Sequence, residues 1–207
     1  SPSPRVDENV VNVNEIVTRN DVVYRGSSET PYSGKVVVNY ETGQKKAEGN
    51  FKNGKKDGLD TTWHENGHKK TERNFKDGIP DGLSIQWNEN QQTLRKVIFK
   101  DGIPDGISIV NYDNGKPRAI ANYKDGKEDG FQISWYENGQ KMAEGNYKDG
   151  KSYGLHIGWY ENGQKRYEEN YKDGKPDGLK TTWHENGQKS FEGKKKNGKP
   201  DGLWIFW

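Results

Sequence analysis

The 207-residue chain contains no cysteine and a single methionine. That excludes disulfides, thiolate chemistry and cysteine metal sites. Hydrophobic residues make up only 28% of the sequence and the mean hydropathy is -1.26. No apolar run approaches the ~20 residues of a membrane-spanning helix. Neither sign of charge dominates: 33 Lys+Arg stand against 31 Asp+Glu, a net +2. The chain therefore projects no strong field toward nucleic acid or anionic lipid, so nucleic acid is not expected as a partner and charge does not indicate membrane contact. Ser1-Pro2-Ser3-Pro4-Arg5 has no apolar segment of the kind a signal peptide needs. Nucleophile motifs, phosphate loops and dinucleotide fingerprints are missing as well, so neither an enzyme nor a cofactor is expected.

What the chain has is glycine in strict register. One column holds Gly34, Gly58, Gly82, Gly106, Gly130, Gly154, Gly178 and Gly202, 24 residues apart throughout. A second runs from Gly54 to Gly198 in the same step, and a third from Gly43 to Gly187 breaks only at Gln91. A fixed period in this range means tandem repeats, each one supersecondary unit. The array starts at Pro31 and fills residues 31–207 with seven full units and a terminal half unit. Residues 1–15 read as a flexible lead-in, and 16–30, with Val17, Val22, Val23 and Tyr24, as a strand or cap segment.

Each unit reads as two short strands. Leu59, Thr61 and Trp63 alternate with Asp60, Thr62 and His64, and the pattern returns around Trp87, Trp135 and Trp159. Period-two alternation marks half-buried strands. Glu-Asn-Gly at 65–67 and its counterparts suit a three-residue loop, a type I turn closed by a left-handed glycine. In that register Leu59, Thr61 and Trp63 share a face with Thr71 and Phe75, and all the apolar columns collect on one side. Lys-Asp-Gly-Lys-Pro-Asp-Gly reads as a longer hairpin loop. The expected fold is all-β: an elongated, twisted antiparallel meander or open solenoid of β-hairpins.

The tryptophan column, with the companion column Phe51, Phe75, Phe99, Tyr123, Tyr147 and Tyr171, reads as core, and stacking on a sugar or base is the alternative use. The other face is expected to carry Tyr112, Tyr136, Tyr160 and His184 beside glutamates and lysines, a composition suited to protein contacts. Ile98 and Ile120 replace polar residues there and are candidates for a contact patch, with drift of the repeat as the alternative. Trp204 and Phe206 are expected on the same face, in a terminal strand whose open edge invites pairing with another chain. His64 and His68 flank one turn but lack the further ligands of a closed zinc site, so no metal is expected.

Trp-Tyr-Glu-Asn-Gly-Gln-Lys, then Glu-Gly-Asn-Tyr-Lys-Asp-Gly-Lys, then Asp-Gly-Leu resembles the bacterial variant of the MORN repeat. The stretch from Ile16 to Trp207 also looks like the proteins labelled YwqK-family antitoxins. The resemblance implies a β-hairpin array that binds protein. The antitoxin label implies neutralisation of a toxin, and MORN repeats in general are associated with membrane-adjacent scaffolding and lipid binding. Many such proteins carry an export signal, so the resemblance leans toward the cell envelope. Three readings follow: a protein-binding scaffold of antitoxin or immunity type, a self-associating envelope protein, and a lipid- or glycan-binding module.

Overall fold

The computed structural model describes residues 10–207. The chain is all-β among these residues, apart from one 3-10 turn at Val13–Glu15. It forms two compact units divided after Ile103. The first contains β1 (Val10–Asn12), β2 (Ile16–Arg19), β3 (Val22–Arg25), β4 (Gly34–Asn39), β5 (Lys45–Lys52), β6 (Lys55–Trp63), β7 (Lys69–Lys76), β8 (Ile79–Trp87) and β9 (Thr93–Lys100). The second contains β10 (Ile103–Asn111), β11 (Pro117–Lys124), β12 (Lys127–Glu128), β13 (Gly130–Trp135), β14 (Lys141–Lys148), β15 (Lys151–Trp159), β16 (Lys165–Lys172), β17 (Lys175–Trp183), β18 (Lys189–Lys196) and β19 (Lys199–Phe206). Within each unit successive strands are hydrogen-bonded as an antiparallel meander, and in the first unit β1 runs parallel to β4. β2 and β3 make a separate hairpin.

Two kinds of turn alternate. In the Glu-Asn-Gly loops the tyrosine or histidine ahead of the loop closes it: Tyr136 N–H donates to Gln140 O at 2.8 Å, and Gly139 N–H to Tyr136 O at 2.9 Å. Gly139 sits at φ 90, the left-handed position this loop requires. The Lys-Asp-Gly-Lys-Pro stretch is not a long loop. Its Asp-Gly pair is a tight two-residue turn with both residues left-handed (Asp149 at φ 51, Gly150 at φ 76), and the strand resumes at the next lysine. The later Asp-Gly then forms a bulge, where the register shifts between Arg73 and Phe75 and at the corresponding points of most later hairpins.

The expected pairing of faces is overturned by one residue. Trp63 pairs with Lys69, but Thr62 pairs with Thr71, so Lys70 is the extra residue of a bulge beside each three-residue loop. That single insertion inverts the phase of the returning strand. Leu59, Thr61 and Trp63 therefore share a face with Glu72 and Asn74, while Phe75 joins Arg73, Thr71, Thr62 and Asp60 on the other. The tryptophan and phenylalanine/tyrosine columns lie on opposite faces, here called the tryptophan face and the tyrosine face.

The apolar core of the first unit sits at its N-terminal end. Val11, Val23, Tyr32 and Val36 are buried together, with Ile16 and Phe51 packed against them. Part of the segment read as a lead-in is thus structural: Val11 on β1 pairs with Val36 on β4. Residues 1–9 of that lead-in lie outside the described residues.

Within each unit, repeats are joined by side chains reaching 23 residues on. Tyr40 Oη donates to Trp63 O at 2.7 Å in the first unit. In the second, Tyr112 donates to Trp135 O at 2.7 Å, Tyr136 to Trp159 O at 2.8 Å and Tyr160 to Trp183 O at 2.9 Å. Each such bond contributes about 1 kcal/mol net.

Candidate protein-interaction site

The tryptophan face is built from a recurring triad. Lys45 pairs with Glu48 and holds its ammonium 5.1 Å from the centre of the Trp63 ring. Lys141 repeats this with Glu144 and Trp159, Lys165 with Glu168 and Trp183, and Lys189 with Glu192 and Trp207. Lys69 pairs with Glu72 in the same way. The geometry follows from the loop bulge, which puts the lysine after the turn and the glutamate three residues on over one ring of the next repeat. An ammonium over indole is a cation–π contact that also covers the ring from water.

The triad lapses in the middle of the chain, where Thr93 and Pro117 replace lysine, Lys96 and Ile120 replace glutamate, and Asn111 replaces tryptophan. In the second unit the result is an apolar file across three strands: Ile109 pairs with Ile120, and Ile120 with Ile133. Ile107 and Phe131 flank it, exposed by 40% and 45%. In the first unit Ile98 pairs with Leu83, exposed by 37% and 43%. Ile98 and Ile120 therefore stand on the tryptophan face with the leucine and isoleucine columns, and not on the tyrosine face where the alternation had placed them.

The other residues singled out from the sequence fall in two groups. Tyr112, Tyr136 and Tyr160 are half-buried, and their hydroxyls are engaged in the inter-repeat bonds described above. The glutamate column expected beside them, Glu72, Glu144, Glu168 and Glu192, is moved by the bulge to the tryptophan side. His64 Nε2 lies 3.1 Å from Trp87 O and His68 Nδ1 2.6 Å from Glu89 O, so both imidazoles join turn to turn. Trp204 and Phe206 are on the tyrosine face, as ring neighbours of Phe191 at 5.0 and 5.2 Å. His184 lines a cavity, taken up next.

Sequence reasoning missed the feature on the tyrosine face of the second unit. Glu169, 5% exposed, lies opposite His156 on β15 and Lys180 on β17. Its carboxylate accepts from Tyr171 Oη at 2.9 Å, Lys180 Nζ at 3.3 Å and Lys195 Nζ at 3.1 Å. Burial alone would raise its pKa, but the Lys195 and Tyr171 hydrogen bonds and the two ammonium charges outweigh it, and the net shift is downward. The Tyr171 phenol moves the other way, through burial and the neighbouring carboxylate, to well above the usual tyrosine range. His156 is held between Tyr147 and Tyr171 at 5.2 and 4.8 Å. Its ring fills the space over Gly145, where a Cβ would lie 2.3 Å from Nδ1. The signal was present in one column: Gly49, Arg73, Val97, Ala121, Gly145, Glu169 and Gly193 show that only one repeat puts a carboxylate there.

The fold and these surfaces define a tandem β-hairpin array that presents repeated side-chain columns. The MORN repeat variant model matches residues 32–53, 56–77, 104–125, 128–149 and 153–173, together more than half the chain. The chain belongs to that family. It is a family of non-enzymatic repeat scaffolds whose repeats commonly mediate protein or membrane interactions. The stretch 78–103, which contains Gln91 and Ile98, falls between matched repeats. No curated protein matches the chain.

Proposed function

We propose that the chain is a non-enzymatic protein-binding module and that its partner docks on the tryptophan face of the second unit, over Ile109, Ile120 and Ile133. The observation that carries this is the lapse of the lysine–glutamate cover there. Flanking repeats of this unit ion-pair the same positions, whereas this one leaves an isoleucine file beside exposed Ile107 and Phe131. Interface centres are depleted in charge in this way. The antitoxin or immunity role that the resemblance implies is one form such a partner could take, with a toxin as the bound protein.

A photo-reactive residue at Ile120, compared with one at Met142 in the next repeat, tests the reading in cells that make the protein. A discrete cross-linked protein from position 120 alone is the expected result, abolished by Ile133→Glu. Equal labelling from both positions overturns it. If the cross-linked product is a dimer of the chain itself, the self-associating reading takes its place.

A further inference from the structure

The Glu169 cluster opens into a cavity of about 470 Å³ lined by Tyr160, Arg166, Tyr167, Lys180, Thr182, Trp183 and His184, among others. A second hollow of about 160 Å³, floored by Ala119, Ala121 and Ala143, adjoins it across Tyr167. The first does not involve the isoleucine file, whereas the second also touches Ile120, Ile133 and Glu144. Charge is unevenly divided between the faces. On the tryptophan face Glu144, Glu168 and Glu192 are each neutralised by a lysine. On the tyrosine face Arg166 and Lys180 line the cavity and Lys195 reaches Glu169 from the next strand, so three cations meet one carboxylate.

The arginine is the free member of this set. Its guanidinium lies 5.8 Å from the Tyr160 ring centre, and among the described residues no hydrogen bond engages the guanidinium or the His184 imidazole. A guanidinium resting on a ring keeps its in-plane donors available for a carboxylate. The second hollow adds an unmet requirement: Gln132 Nε2 is buried without an acceptor. A buried donor left unpaired costs about 1–3 kcal/mol, which a carbonyl from outside would recover. Gln132 on β13 and Lys180 on β17 are four strands apart, about 19 Å at sheet spacing. Five or six extended residues cover that distance at about 3.3–3.6 Å each.

We infer that the tyrosine face of the second unit binds an acidic, extended segment of a partner protein. A carboxylate of the segment meets Arg166 and Lys180, and a carbonyl further along accepts from Gln132. The Arg166 and Lys180 end of this site does not involve the isoleucine file, so loss of peptide binding with Arg166→Gln is separable from the effect of Ile133→Glu.

Fluorescence polarisation tests it, using a fluorescein-labelled ten-residue peptide of alternating glutamate and serine, the same peptide with glutamine for glutamate, and a ten-nucleotide thymidine oligomer. The acidic peptide is expected to bind saturably, and the glutamine peptide at least tenfold more weakly. Arg166→Gln should weaken acidic-peptide binding about tenfold. Arg118→Gln, which removes a guanidinium 5.8 Å from Tyr112 but off the cavity, should leave it unchanged. Equal losses in the two variants, or no loss with Arg166→Gln, overturn the inference. So does an oligomer that binds as tightly as the peptide, because the site would then read phosphate and not carboxylate. Unchanged circular dichroism of both variants separates lost binding from lost fold.

Discussion

Glu169 shows what one substitution does inside a repeat. Where sister repeats place glycine, alanine, valine or arginine, this one buries a carboxylate and surrounds it with Tyr171, Lys180 and Lys195. A carboxylate with a depressed pKa contributes stability that is fully present above its unfolded value, about 4.3. That contribution is lost as pH falls through the lower folded value. Glu169→Gln should therefore cost about 1–3 kcal/mol in urea unfolding at pH 7. The difference from the parent should shrink as pH drops below about 4. Glu48, lowered by its hydrogen bonds to Lys35 and Lys45, leaves a background slope in both proteins, so the difference between them is the quantity to read. A constant difference across that range would remove the ion cluster as the cause.

At the scale of the hairpin, the turns hold the chain's backbone strain. A methyl group at Gly150 would meet nothing nearer than Lys127 Cβ at 3.9 Å, so Gly150→Ala is a test of backbone conformation alone. At φ 76 the left-handed penalty predicts a loss of about 1–2 kcal/mol in thermal or chemical unfolding. A much smaller loss would mean that the turn can change type. The strands and the three-residue Glu-Asn-Gly loop were legible because both depend on local spacing: Leu59, Thr61 and Trp63 alternate, and glycine closes the loop. The assignment of faces was not. Lys70 looks like any other residue of its strand, and nothing in its chemistry marks it as the extra member of a bulge. Because side chains alternate with period two, that one residue moves Phe75, Ile98 and Ile120 to faces opposite those expected. The Asp-Gly-Lys-Pro stretch misled for a related reason. Its two glycines suggest one loop, yet the first closes a tight turn and the second a bulge. The Glu169 cluster was illegible at this level because its members, Glu169, Tyr171, Lys180 and Lys195, meet only once three strands are aligned.

Across the whole molecule, burial is shallow and uneven. Buried hydrophobic residues are few, and most of them gather where β1 and the β2–β3 hairpin cover the first repeat. Repeat arrays of this kind draw stability from nearest-neighbour contacts more than from a central core. Val36→Ala is expected to cost about 1–2 kcal/mol, as for deletion of buried methyl groups. Amide hydrogen exchange should speed up in β4, β5 and β6 while β16, β17 and β18 keep their protection. A uniform rise along the chain would instead indicate a single cooperative unit.

The extra residue beside every loop has one more consequence. A stretch of 24 residues contains a complete set of one loop bulge, one tight turn and one wide bulge, so duplicating or deleting that length returns each strand to the face it came from. Removing a single residue exchanges inside for outside from that point onward. Gene segments encoding whole repeats can thus be gained or lost with the surface pattern intact, while small frame-preserving changes within a strand are filtered out. Length becomes a heritable variable that moves in fixed steps, and surface chemistry can then diverge one repeat at a time, as Ile120 and Glu169 have done.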